Sequence, residues 1–157
     1  MREEETVTYA KNTSVGVDKS RAEIERTLTR YGADQFMFGW KAEAAVLAFR
    51  AKGRHIRFTL PMPLEKDFAR DGRNSLRSPE QRRKAVEQAN RERWRALCLC
   101  IKAKLEAVET GISEFEDEFL AHIVLPTGET MSEHSRPLIA RAYETGKMPP
   151  LLGYTPS

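Results

Sequence analysis

Three short segments in a row, Gln35–Trp40, Ala45–Arg50 and His55–Leu60, alternate apolar and polar residues with period two. Successive side chains of a strand point to opposite faces. This spacing therefore puts Phe36, Phe38 and Trp40, then Leu47 and Phe49, then Ile56, Phe58 and Leu60 on one face. The opposite face carries Arg50, His55, Arg57 and Thr59. Between the second and third segments, Ala51-Lys52-Gly53-Arg54 is a hairpin signal, because Gly53 accepts the positive φ of a tight turn. Pro61-Met62-Pro63 ends the run, since proline donates no ladder hydrogen bond. The pattern predicts a half-buried antiparallel sheet, whose apolar face needs a cover.

Helices on both sides of the sheet can supply it. Ser20 with Glu23 three residues on reads as a capping box, followed by Ile24, Leu28 and Tyr31 on one face and Gly32 as the stop. Asn12–Asp18 before it reads as a polar loop, and Thr6–Ala10 as a weak edge strand. Ser78-Pro79-Glu80-Gln81 is a strong start for a second helix running to Thr110, with Gly111 as its end. At about 1.5 Å per residue that helix is about 48 Å long. Trp94, Leu97, Cys98, Ile101, Leu105 and Val108 form its packing stripe. Its first half offers only Ala85, Val86 and Ala89 and is expected to project into solvent or across a partner. Ser113 with Glu116 reads as another capping box, opening a short helix that uses Phe115 and Phe119. Two very short strands are expected at His122–Leu125 and Glu129–Met131, and a last helix at about Glu133–Thr145, stopped by Gly146. The stretch 64–77 lacks periodicity and reads as a mobile loop, and 147–157 as an extended tail.

The expectation is one α+β domain over 1–157, with its core at about 6–145: a three- or four-stranded antiparallel sheet packed on helices, one of them long. A chain of 157 residues has the size of one domain, and 40% hydrophobic with 31% charged residues is globular rather than disordered. The longest apolar run, Ala96–Ile101, is far short of the ~20 residues a spanning helix needs, and Met-Arg-Glu-Glu-Glu has no apolar stretch behind it. No membrane association is expected. Cys98 and Cys100 on a helix point to different sides, cannot bridge easily, and read as buried small hydrophobes. A cytoplasmic location is the expectation.

Charge is unevenly distributed. Lys41–Lys84 holds twelve Lys/Arg against five Asp/Glu, whereas Glu106–Glu118 holds six Asp/Glu and no Lys/Arg. Arg50, Lys52, Arg54 and Arg57 cluster on and beside the hairpin, and Arg82, Arg83 and Lys84 open the long helix, with Arg73 and Arg77 before them. Such cations attract phosphate backbones, because each neutralised phosphate releases counterions without any base being read. The bland alternative is that the solvent face of a sheet is polar in any case. The aromatics Phe36, Phe38, Trp40, Phe49 and Phe58 could stack bases, but they share the phase of the core face.

Glu114, Glu116, Asp117 and Glu118 with His122 are the one candidate metal cluster, and Glu118 and His122 sit at i, i+4. An acidic first turn complements a helix dipole without any metal, so no metal and no cofactor are expected. His55, His122 and His134 belong to no nucleophile motif, and no phosphate-cradling glycine loop or C-x-x-C occurs. The chain is not expected to be an enzyme.

The order helix, three antiparallel strands, helix over Ser20–Thr110, with positive charge entering the second helix, resembles double-stranded-RNA-binding domains. Ser78-Pro-Glu-Gln-Arg-Arg-Lys stands where that family has a lysine-rich signature. Gln35–Thr110 also resembles the core of phage-type single-strand annealing proteins. Arg26–Trp40, Trp94–Glu109, Glu118–Leu125 with Pro126-Thr-Gly-Glu, and Met148-Pro-Pro-Leu-Leu are similar to small bacteriophage and prophage proteins. The resemblance to phage proteins carries no site residues; the charge distribution supplies them, and the expectation is a phage-type accessory protein that binds nucleic acid through Arg50, Lys52, Arg54, Arg57, Arg82, Arg83 and Lys84, without sequence specificity. The alternative is a protein-interaction or inhibitor module, in which the basic and acidic poles steer a protein partner or head-to-tail self-association.

Overall fold

The computed structural model describes residues 14–152; the expected edge strand at Thr6–Ala10 lies outside them. Helix α1 spans Ser14–Arg30. It starts earlier than the Ser20–Glu23 pattern suggests, so residues 14–18 of the expected loop are helical. Ser20 is buried inside the helix rather than capping it, beside Val17, Ile24 and Leu28 on the face that packs inward. Gly32, at φ +92, turns the chain into the sheet.

Strands β1 (Gln35–Lys41), β2 (Ala44–Ala51) and β3 (Arg54–Pro61) form an antiparallel sheet in the order β1-β2-β3. Its register aligns Phe36 with Phe49 and Ile56, and Phe38 with Leu47 and Phe58, so the period-two pattern becomes one continuous apolar face. Lys52 and Gly53, both at positive φ, make the two-residue turn between β2 and β3. Two such residues match the twist of the flanking strands.

Helix α2 (Pro79–Glu109) crosses that face as a single rod about 46 Å long at about 1.5 Å per residue. Ser78 accepts from the Gln81 backbone N–H, and the Gln81 side chain accepts from the Ser78 N–H, closing the expected box. Trp94, Leu97, Cys98, Ile101 and Leu105 are buried against Leu47, Phe49, Ile56 and Phe58 in one core. Phe38 and Trp94 meet edge to face at 5.4 Å, and Phe119 meets Phe49 and Phe58 in the same way. Burying each such side chain contributes roughly 1.5–3 kcal/mol. Cys98 is buried as expected, but Cys100 is exposed on the opposite side of the helix.

The first half of α2 does not project freely. Residues 62–77 fold against it: Pro63 is buried, a 3-10 turn forms at Glu65–Phe68, and Val86 is buried on the helix. This stretch, read from sequence as a loop without periodicity, carries local hydrogen-bonded structure. Arg70 pairs with Leu76, the Asp71 carboxylate accepts from the Arg73 and Ser75 N–H groups, and the Arg77 guanidinium donates to the Phe68 and Arg70 carbonyls.

Helix α3 (Phe115–Phe119) is capped by Glu114 with no side-chain bond, so the Ser113–Glu116 box does not form. A 3-10 turn at Leu120–His122 leads back to the sheet, where Ile123 bridges Ile56 and the Val124 N–H donates to His55. The two expected short strands are thus isolated bridges, the second joining Val124 to Thr130. Helix α4 (Met131–Thr145) begins two residues earlier than expected, with Thr130 and Glu133 closing a capping box, and ends at left-handed Gly146.

Candidate nucleic-acid interface

On the sheet the candidate arginines are engaged. Arg50 forks onto Asp34, Nε to Oδ1 at 2.9 Å and Nη2 to Oδ2 at 2.6 Å. These bonds hold the Asp34 carboxyl below its ordinary value and raise the Arg50 guanidinium. Arg57 donates to Glu133 of α4 at 2.9 Å, and only a quarter of its side chain is exposed. Glu133 titrates below its usual range, first because it accepts from the Thr130 N–H and then because Arg57 faces it. Arg54 donates to Glu116 at 2.9 Å. Of the hairpin cations only Lys52, at the tip, makes no ion pair among the described residues.

The start of α2 is different. Arg83 is exposed and makes neither an ion pair nor a side-chain hydrogen bond among the described residues, and the same holds for the side chains of Lys66 and Arg73 on the supporting loop. Lys84 meets Glu80 one turn back at 3.5 Å, with both side chains about two-thirds exposed or more. Arg82 meets Glu65 across to the loop at 3.4 Å. The Lys84 pair, exposed on both sides, is screened by salt and by water and yields readily to a phosphate. Arg82 is no more exposed than Arg50 or Arg54, but its pair is longer than those of the sheet arginines, at 3.4 Å against 2.6–2.9 Å.

The seven candidates do not form one patch. Arg54 reaches Glu116, Tyr31 donates to Glu109, and the Asp34 N–H donates to Arg50. Together these contacts bring the hairpin tip to the C-terminal end of α2. Arg83 lies about 39 Å away along the same helix at about 1.5 Å per residue. The hairpin group and the helix-start group occupy opposite ends of the molecule.

Four of the five candidate stacking aromatics, Phe36, Phe38, Phe49 and Phe58, belong to the core or pack against it. Trp40 shares their phase but is 64% exposed, because it closes the edge strand where helix cover runs out. Beside it the Arg21 guanidinium lies 4.6 Å from the Trp94 ring, 5.0 Å from Phe38 and 6.0 Å from Trp40. Burial lowers the pKa of Arg21, against an opposing pull from Asp18. Reasoning by phase alone missed this exposed Trp40. The available signal was its place as the next-to-last residue of an edge strand.

The acidic segment is divided among separate partners. Glu118 turns to Lys104 at 3.7 Å, while His122 stacks on Phe58 with centroids 3.9 Å apart. The i, i+4 pair is therefore not brought together on one helix face. Burial against Phe58, helped by nearby Lys104, holds His122 below the ordinary imidazole value. On the far side of the fold, Glu23 of α1 binds both Lys102 and Arg95 of α2 and is pushed down to about 2, the Lys102 hydrogen bond being the largest cause.

Among the described residues no helix is long and apolar enough to cross a membrane. Compared with protein-family models, curated proteins and solved structures, the chain finds no match.

Proposed function

We propose that this chain is a phage-type accessory protein that binds nucleic acid by charge, and that the contact lies at the start of α2 rather than on the sheet. What supports the reading is the contrast in pairing: Lys66, Arg73 and Arg83 stand exposed and unpaired among the described residues, beside the loosely held Arg82 and Lys84. The Ser78 cap and the Arg77 bonds give the backbone under them local hydrogen-bonded structure. Arg50, Arg54 and Arg57 contribute to folding instead, and Lys52 stands alone at the far end. Trp40, exposed at the margin of the sheet, offers a face on which an unpaired base can stack.

The test is fluorescence anisotropy with a labelled single-stranded oligonucleotide and a labelled duplex, from about 50 to 200 mM salt. Binding is expected at the low end and a steep loss at the high end, with affinity independent of base sequence. No binding of either probe at about 50 mM salt removes the proposal.

A further inference from the structure

Helix α4 contains no buried residue and packs mainly on the Leu120–His122 turn. Its last two turns and the chain beyond Gly146 enclose a groove of about 370 Å³, lined by Ile139, Ala142, Tyr143, Gly146, Met148 and Leu151. Tyr143 is 88% exposed and Met148 77%, so this apolar trough faces solvent. Arg136 stands one turn before the groove and Lys147 at its end, and neither makes an ion pair among the described residues. The trough is apolar in the middle and cationic at both ends.

A complementary shape occurs past the end of α2, on the acidic segment of the same chain. Gly111, in the left-handed conformation, turns Ile112 outward to 83% exposure just past the end of α2. Around it Glu106, Glu114 and Asp117 are exposed and unpaired among the described residues, whereas Glu109, Glu116 and Glu118 are taken by Tyr31, Arg54 and Lys104. This pole presents an apolar knob flanked by carboxylates.

We infer that the α4 groove receives the Ile112 pole of a second copy of this chain, so that the protein associates head to tail. The apolar knob fills the trough while Glu114 and Asp117 meet Arg136 and Lys147. A contact between two different surfaces is heterologous, and it leaves one free groove and one free pole on every pair. Growth therefore continues beyond the dimer. The contact is small, which makes it weak, and its charged rim makes it salt-dependent.

Sedimentation velocity on the full chain tests this at protein concentrations up to about 1 mM, at about 50 and 500 mM salt. The average mass should climb past the dimer with concentration at low salt and fall back at high salt. Tyr143→Asp blocks the groove and Ile112→Asp blocks the pole. Both side chains are exposed, and circular dichroism confirms that each variant is folded. Each variant alone should stay monomeric, yet an equimolar mixture should form a complex that stops at twice the monomer mass, because one intact groove meets one intact pole. The charge reversals Glu114→Lys and Lys147→Glu should each weaken assembly, and mixing them should restore part of it. A wild-type monomer throughout the range overturns the inference. So does a dimer that stops at two or survives Ile112→Asp, since that would be a symmetric contact of another kind.

Discussion

Arg57 and Arg83 have the same side chain, both are candidates for phosphate contact, and they stand in opposite situations. Arg57 lies on the outer face of β3 under the first turn of α4, where Glu133 both caps that helix and receives the guanidinium. Arg83 stands in the second turn of α2, where no carboxylate reaches it among the described residues. A cationic sheet face counts as a binding surface only after its internal partners have been counted. Here that count shifts the candidate interface from the sheet to a helix start.

The comparison can be tested in order of effect. Largest is the core that holds the two regions in place: Ile101→Ala should cost about 2–5 kcal/mol in denaturant unfolding, because a fully buried side chain leaves a cavity under the sheet. A loss under about 1 kcal/mol would mean that the long helix does not pack as described. Next come the caps. Ser78→Ala and Thr130→Ala should each cost about 1 kcal/mol, since each hydroxyl satisfies an N–H in the first turn of its helix.

The two arginines should then separate cleanly. Arg57→Ala should lower stability by a few tenths to about 1 kcal/mol and leave the salt dependence of oligonucleotide binding unchanged. Arg83→Ala should change stability by no more than about 0.5 kcal/mol while lowering the log–log salt slope by about one. Reversal of the two outcomes would return the interface to the sheet.

The smallest effect is one of pH. Burial depresses the pKa of His122 in the folded protein. As pH falls below the ordinary imidazole value of about 6.5, the unfolded chain takes up the proton first, and stability should decline. It should level off once pH is below the folded value. His122→Phe, which keeps the stack on Phe58, should flatten this part of the pH–stability curve; an unchanged slope would assign it to other groups.

The sheet was legible because period two is enforced residue by residue, and the order Phe36, Phe49, Ile56 across three strands follows from it. The long helix was legible from Ser78, Pro79 and Gln81 at one end and Gly111 at the other. The start of α1 was misread because Ser20 and Glu23 have the spacing of a cap, while the burial of Ser20 is decided by α2 packing from far along the chain. The order within 64–77 was invisible for another reason: Asp71 and Arg77 build it from short-range bonds to backbone, which leave no period. Least legible was the candidate site, because the neutralisation of Arg54 and Arg57 depends on Glu116 and Glu133, which lie 62 and 76 residues away.

Because α2 is unbroken from Pro79 to Glu109, its two halves are threaded like a screw. A residue inserted just before Trp94 would turn everything ahead of it by about 100° and push it out by about 1.5 Å. The Glu65–Phe68 turn that contacts this half would be carried with it, and Arg83 would face a different side of the molecule. Four inserted residues would bring Arg83 nearly back to its heading, about 6 Å farther from the sheet. The length of this segment therefore tolerates change in whole turns far better than in single residues, and the bearing of the cationic end is set by the core at the other.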